Sequence, residues 1–501
     1  MDKGGFSLVK QKPIFYSALM LTAVNLLLRA VGTSFQVYLS GRIGAAGIGL
    51  LQLVLSVGSL TSVAGMAGIR TATMYLTAEE LGKNRPNNVA WVLSGCFLYS
   101  ILCSGIIAVL VYVFAPFIAE YWIGENQTIP ALRLLASFLP CSCLCGVMTG
   151  YFTAANRIGT LAAVEVAEQL LSMAATLMLL HFWAGQDAGL ACQSVVLGSC
   201  IGACFTLLCL VLLRLLGKPT CGKQIPVARR LYETAVPLAI ADDLRTGIST
   251  VENLMVPKRL ALNSFIENPL AAFGIVSGMV FPVLMFPACI LFGLAELLIP
   301  ELARCSAAEN HGRISYLVRR SLKIAMLYGA LFCGLLFLLA KDLCMALYDN
   351  AEAGNFLRLY ALMIPMLYCD AITDAMTKGL GQQKVCVRYN ILSNILDVVF
   401  LYILLPKYGM MGYFLSFLVT HLINFALSLR RLLKITEEQI PLHIPIWTTS
   451  ATVGAIWLSS HVSVAALHIF VYPATLICLL FLSGIISRED LRWLTGLVHK
   501  K

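Results

Sequence analysis

The chain has 501 residues, 59% of them hydrophobic and 12% charged, with a mean hydropathy of +0.82 and a formal net charge of +10. Soluble domains carry about 25% charged residues, so an aqueous globular enzyme is excluded as the body of the molecule. Apolar runs of about 20 residues, enough to cross about 30 Å of hydrocarbon, recur almost end to end. They are continuous and rich in Leu and Ala instead of alternating, which excludes a membrane β-barrel. The expected fold is an all-α integral membrane protein, because helices satisfy their own backbone groups in lipid.

About 14 transmembrane helices are predicted. The first, 14–38, follows Lys3, Lys10 and Lys12 and is too long and too polar in its middle for a cleaved signal, so it is expected to remain as an anchor. Asn25, Arg29, Gly32 and Gln36 share one of its faces. Helices follow at 48–68, 90–114, 131–155 (with Pro140), 159–181 (with Glu165 and Glu168) and 190–214. A connection with Gly217, Pro219 and Gly222 leads to the seventh helix, 233–256, where Asp242, Arg245, Ser249 and Glu252 form a second polar stripe. Helices eight to twelve are placed at 271–298 (with Glu296), 320–340, 354–378 (with Pro365, Asp370 and Asp374), 385–405 (with Asp397) and 410–430. Two more, 445–464 and 467–487, complete the chain.

The order contains a duplication. Leu132-Arg133-Leu134 precedes Pro140 as Leu357-Arg358-Leu359 precedes Pro365, and Arg29 with Arg42 is matched by Arg245 with Lys258. Six helices per repeat, an even number, give two parallel six-helix lobes. The expected organisation is an N-terminal lobe at 1–214, a cytoplasmic linker at 215–232, a second lobe at 233–433, and two additional helices with a cytoplasmic tail at 434–501. Apart from Arg29 and Arg245 within helices, all but seven of the 36 lysines and arginines fall on the side of the N-terminus. By the positive-inside rule both termini are cytoplasmic in a bacterial plasma membrane. The basic runs then meet lipid headgroups, and no nucleic acid is expected as a partner.

The 17 cysteines lie mostly in apolar helices, as in Pro140-Cys141-Ser142-Cys143, and act as small apolar residues. No disulfide is expected, and neither they nor the scattered His311, His421, His461 and His468 have metal-ligand spacing. No loop is long enough to carry a catalytic constellation, so no enzyme activity is expected.

A charge inside a membrane helix costs about 2.5 to 3.5 kcal/mol and needs a use. Arg29 and Arg245 present forks suited to phosphate. The competing reading pairs each with an acid of its own lobe; Asp242, three residues from Arg245, suits that reading, whereas no acid lies within four residues of Arg29. The substrate-binding candidates are therefore Arg29, Asn25, Gln36, Arg245, Asp242 and Glu252. Asp370 with Asp374, and Glu165 with Glu168, share helix faces that can hold a sodium ion or a proton. Near helix ends, as for Glu296, Glu301 and Asp374, acids also simply meet water or basic loops. Asp397, about 18 Å into its helix, has no such escape. Pro140 and Pro365 are hinge candidates, set against the general frequency of proline in membrane helices.

Leu28-Arg29-Ala30-Val31-Gly32, Arg42-Ile43-Gly44-Ala45-Ala46-Gly47-Ile48-Gly49, Ala67-Gly68-Ile69-Arg70 and Leu139-Pro140 followed by Gly150-Tyr151-Phe152 resemble the multidrug/oligosaccharidyl-lipid/polysaccharide exporter superfamily. Within it the chain looks like the polysaccharide-transporter branch that includes stage V sporulation protein B and the lipid II flippase. The resemblance implies two six-helix lobes around a cavity open alternately to each side, and outward movement of a lipid-linked oligosaccharide. It also implies that Arg29 meets the substrate diphosphate and that 445–487 hold the polyprenyl tail. The chain departs from the flippase in the acids crowding its helices.

Three functions stay open. The first is a flippase for a cell-wall or polysaccharide precursor in lipid-linked form. It needs no cofactor and no ATP, since no phosphate-binding Gly-rich loop occurs, and draws on Na+ or H+ coupling or the membrane potential. The second is a cation-coupled multidrug antiporter of the same superfamily. The third is a non-transporting scaffold for cell-wall synthesis proteins.

Overall fold

The computed structural model describes residues 11–83, 85–184, 187–216, 227–438, 443–462, 464 and 467–485. No strand occurs among the described residues. The helices are α1 (Gln11–Met66), α2 (Ile69–Gly82), α3 (Val89–Phe117), α4 (Ile129–Ala154), α5 (Ile158–Leu179), α6 (Ala188–Leu215), α7 (Val227–Leu260) and α8 (Pro269–Gly274). They continue with α9 (Phe281–Met285), α10 (Ala288–Ala307), α11 (His311–Tyr348), α12 (Ala351–Ala361), α13 (Ile364–Gly379), α14 (Gln383–Thr436), α15 (His443–Ser459) and α16 (His468–Leu482). Seven helical spans among the described residues are long and apolar enough to cross a membrane, or nine if each bent pair is one span.

Two of these helices are too long for one crossing. α1 has 56 residues, about 84 Å at 1.5 Å per residue, and breaks at Gly44, where φ is 68°. That left-handed conformation suits glycine. α14 has 54 residues and breaks at Gly409 (φ 57°). Hydrogen bonds from Ser416 to Asp397 and from Ser393 to Asn424 cross between its two limbs. Since the later residue on one limb meets the earlier one on the other, the limbs run antiparallel, as a helical hairpin. Each long span is therefore two helices meeting at a kink, and the breaks fall between the expected segments 14–38 and 48–68 and between 385–405 and 410–430. α2 lies beyond the expected end of the second helix.

The two proline hinge candidates differ. α12 and α13 are bent by 57° at the break just before Pro365. Pro140 lies inside α4, which runs unbroken around it.

The chain divides into two compact units, Met1–Gly274 and Ile275–Lys501. In the first, Ile69, Ala72, Leu76, Val89, Val92 and Val147 form one core with Leu231 and Ala235 of α7, and Met148, Phe152, Leu161, Val164 and Leu210 form another. α7 is fastened by Thr250 Oγ1, which donates to the Ser56 carbonyl at 3.2 Å, and by Asn253 Nδ2, which donates to Ser56 Oγ at 3.1 Å. In the second unit, Tyr472 of α16 is fully buried against α11 and donates its hydroxyl to the Ala330 carbonyl at 2.7 Å. Ala451, Ala455, Leu476 and Leu480 complete that core. Glu438 accepts from Arg319 of α11, and the Ser315 hydroxyl, together with the Arg319 guanidinium, holds the carboxyl below the usual glutamate range.

Lipid is as apolar as the helix surfaces, so such packing and interhelical hydrogen bonds replace the hydrophobic effect as the cement. The outer face of α3 leaves Leu98, Ile101, Leu102, Ile106, Val109 and Val113 exposed, as a lipid-facing surface does. Several helix hydroxyls are satisfied locally: Thr149, Thr373 and Thr448 offer their carbonyls to the hydroxyls of Thr153, Thr377 and Thr452, each one turn on.

Candidate functional site

In the first unit the polar stripe of α1 meets α5. Arg29 is exposed and Gln36 half-buried, and both engage polar or electrostatic partners. The side chain of Asn25 lies outside the described residues. At Gly32, between Arg29 and Gln36, a Cβ would stand 3.3 Å from Nε2 of Gln169. A glycine here lets the α5 amide close on the stripe.

α5 distributes its polar residues among three neighbours. Gln169 faces α1; Glu168 accepts a hydrogen bond of 2.7 Å from Thr206 Oγ1 of α6; Glu165 lies within electrostatic reach of Arg70, at the start of α2. Both glutamates predicted as coupling sites therefore have a partner inside their own unit. Gln169 and Thr206 were not singled out in the sequence, and Arg70 entered only as part of the Ala67-Gly68-Ile69-Arg70 motif. Only the i,i+4 spacing of Glu165 and Gln169 pointed to the first of them.

On α7, Asp242 and Arg245 are both exposed, and among the described residues no ion pair joins them. Neutralisation by Asp242, one of the two readings open for Arg245, is therefore not what its helix displays. Asp243 instead turns inward: it is half-buried, within electrostatic reach of Tyr99 on α3, and its Oδ1 has no hydrogen-bond partner. Glu252 is half-buried and has partners. Arg29, Arg70 and Arg245 are thus exposed cations on three helices of one unit. A separate cavity of about 210 Å³ lies between α1, α4 and α6, lined by Ser59, Ser62, Ser142 and Ser199 with Phe138 and Leu139. None of the predicted site residues reaches it.

In the second unit the acids form a ladder. Asp374 pairs with Lys378 at 2.6 Å near the end of α13. One turn back, Asp370 accepts from Asn424 Nδ2 at 3.1 Å, and the Asn424 carbonyl oxygen accepts from Ser393 at 3.4 Å. One turn further along α14, Asp397 is 6% exposed and accepts at one oxygen, Oδ1, from Ser416 (2.5 Å) and Thr420 (3.2 Å). The hairpin at Gly409 builds this arrangement by setting Ser393 and Asp397 of one limb against Ser416, Thr420 and Asn424 of the other. Those last three recur every four residues, a spacing that marks one helix face and was the unused signal in the sequence. Asp370, Asp374 and Asp397 are brought into one column. Among the described residues no group of three His, Cys, Asp or Glu side chains is placed to hold a metal ion, and the 16 described cysteines are free.

The family model described as MatE matches residues 22–185 and 259–403, more than half of the chain. The chain belongs to the MatE family. The model matches two stretches, as a duplicated chain requires. Among curated relatives, stage V sporulation protein B of Bacillus subtilis (strain 168) is 20% identical over 408 residues, covering 79% of this chain and 78% of that protein. Among solved structures, the lipid II flippase MurJ in an inward closed conformation aligns with a TM-score of 0.70 at 14% identity, over 94% of this chain and 99% of that one. An inward-facing multidrug resistance MATE family transporter aligns with a TM-score of 0.64 at 13% identity, over 84% of this chain and 100% of that one. The chain is a multi-pass membrane transporter of the multidrug/oligosaccharidyl-lipid/polysaccharide exporter superfamily, and not an enzyme.

Proposed function

We propose that the protein is a flippase that carries a lipid-linked oligosaccharide, a cell-wall or polysaccharide precursor, from the inner to the outer leaflet by alternating access without ATP. The observation that carries this reading is at the C-terminus. α15 and α16 lie beyond the duplicated helices and are firmly docked on α11 through Tyr472. The likeness to the lipid II flippase extends over 94% of the chain, against 84% for the multidrug transporter. An apolar helix pair beyond the duplicated helices suits a substrate with a long polyprenyl tail better than a compact drug. In this reading Arg29 binds the diphosphate, assisted by Arg245, through charge-assisted hydrogen bonds. Both termini are cytoplasmic, and cell-wall synthesis proteins are the expected partners.

Movement of a fluorescent undecaprenyl-linked sugar in proteoliposomes tests it. The parent is expected to flip the lipid and Arg29→Ala to slow it at least tenfold, the effect of about 1.4 kcal/mol. Equal rates would remove the role given to Arg29.

A second reading, a cation-coupled multidrug antiporter, is favoured by the buried carboxylates of the second unit. Ethidium efflux that collapses in Asp397→Asn, with no flipping of the lipid-linked sugar by the parent, would establish it instead.

A further inference from the structure

Besides the glycine kinks, two spans among the described residues are bent at a break, and both breaks lie in the second unit. The helical run that ends at Met285 meets α10 at 62°, across Phe286 and Pro287, and α12 meets α13 at 57°, across Leu362 and Met363. Pro287 stands at the start of α10 and Pro365 in the first turn of α13. Neither has an N–H for the carbonyl four residues back. At both breaks the backbone tightens to bonds spanning three residues: the Cys289 N–H donates to the Phe286 carbonyl at 3.3 Å, and the Met363 N–H to the Tyr360 carbonyl at 3.0 Å. In hydrocarbon no water completes such a break, so side chains must.

α11 and α13 supply them. Tyr328 of α11 donates its hydroxyl to the Pro287 carbonyl at 2.7 Å. Tyr368 of α13 donates to the Leu284 carbonyl at 3.0 Å, and its oxygen is also within hydrogen-bonding reach of the Ala288 N–H. Leu284 and Ala288 are four residues apart, the partners that bond each other in an unbroken helix, so this hydroxyl splints the first break. The second break is seated on the next residue of α11: a Cβ at Gly329 would stand 2.7 Å from Cα of Pro365. Pro365 and Tyr368 lie three residues apart on α13 and share a face, and the rings of Tyr328 and Tyr368 lie 5.9 Å apart, centroid to centroid. Neighbouring residues of α11, and neighbouring turns of α13, thus hold both breaks. A third tyrosine reaches the same stretch of α11. Tyr472 of α16 donates to the Ala330 carbonyl at 2.7 Å, and its oxygen is within reach of the Gly334 N–H, again the two members of an i,i+4 pair.

We propose that Tyr328, Gly329, Pro365 and Tyr368 are the parts of one hinge, in which the two broken spans of the second unit change their bends together, and that Tyr472 makes α16 the element that sets it. A state in which one break straightens alone gives up a tyrosine bond to a backbone carbonyl or opens the Gly329–Pro365 seat. Joint states keep these contacts matched, and packed elements of this kind switch between discrete arrangements. The tyrosines are positioning residues: they bond backbone and act through the spans whose bends they hold. The inference does not depend on which substrate is carried.

Hydrogen–deuterium exchange of the full-length protein in nanodiscs tests it, read at Cys289 and Ile290 for the first break and at Leu362 and Met363 for the second. Tyr328→Phe keeps the ring and removes the hydroxyl that bonds the first break. Exchange is expected to rise about tenfold there and about threefold at the second break. Gly329→Ala, which crowds Pro365, is expected to raise exchange at the first break as well as the second. Tyr472→Phe bonds neither break in the parent state, yet is expected to raise exchange at both. The two phenylalanine variants decide the matter if Gly329→Ala fails to fold. A response confined to the break nearest each substitution overturns the shared hinge, and a Tyr472→Phe response confined to residues 330–334 overturns the part given to α16. An equal rise in α3, which lies in the other unit, would mark general loosening and also overturns the proposal.

Discussion

Arg230 fastens the first turn of α7 to the last turn of α2, and its two carboxylate partners are unequal. Glu80 bonds Arg230 Nη1 at 3.1 Å with a side chain 2% exposed, while Glu79 bonds Nη2 with 29% exposure and also holds Lys83. Glu80 has one further partner, Asn88 Nδ2 at 3.0 Å. Breaking a fully buried pair costs about 3 to 5 kcal/mol because a charge is left unsolvated, and an exposed pair is worth about 0 to 1 kcal/mol. Arg230 itself is 32% exposed, which places the Glu80 contact between these limits. We expect Arg230→Ala to destabilise the protein by about 2 kcal/mol. Double-mutant cycles should then give a coupling of about 1.5 kcal/mol with Glu80→Gln and about 0.5 kcal/mol with Glu79→Gln. Equilibrium unfolding by SDS titration in mixed micelles provides the free energies. A Glu79 coupling equal to or larger than that of Glu80 would refute the argument that burial sets the strength of this clasp.

Gly334→Ala should prevent α16 from seating on α11, because the new Cβ would fall 2.0 Å from the Tyr472 ring; a cost of about 3 kcal/mol is expected, and unfolding equal to the parent would contradict the packing described. Gly105→Ala is the control, since its Cβ meets nothing within 4 Å; it should be neutral or stabilising by up to about 1 kcal/mol. The Arg319–Glu438 contact should show acid linkage. The Glu438 carboxyl is held below its ordinary value of 4.5, so its contribution is complete above that value and is lost as the pH falls through the lower, folded-state value. The stability difference between the parent and Arg319→Ala should therefore stay constant from about pH 7 to 5 and shrink on further acidification. A difference that persists unchanged in acid would show that Arg319 acts through packing alone.

The helical class and the duplication were legible because they are written in local signals, apolar run length and matched Arg and Pro positions. So were the breaks at Gly44 and Gly409, which lie in the gaps between expected helices and take a positive φ where two helices meet at a kink. α2 escaped notice because Arg70, Glu79 and Glu80 make it too polar for a span; it is stabilised by Arg230, 150 residues away from Glu80 in the chain. The same limit applies to the sites. Arg29, Arg245 and Asp397 are conspicuous as charges in apolar segments, whereas Gln169, Ser416, Thr420 and Tyr360 are ordinary residues that acquire meaning only from the partner brought against them. For Arg245 the local rule misled: at i,i+3 Asp242 is close enough to pair, yet it remains apart and exposed, while Asp243 turns inward.

The abundance of acids first set this chain apart from a cationic flippase, and their placement resolves much of that difference. In the first unit, Glu165 and Glu168 are drawn toward Arg70 and Thr206, while Arg29 on α1, which has partners of its own, and Arg245 on α7 are solvent-exposed. In the second unit, Asp370 and Asp397 are bound to amide and hydroxyl groups of one hairpin. The arginines proposed to meet the diphosphate and the hydrogen-bonded acids Asp370 and Asp397 therefore fall in different units, so the two units of the chain differ in the chemistry of their intramembrane polar groups.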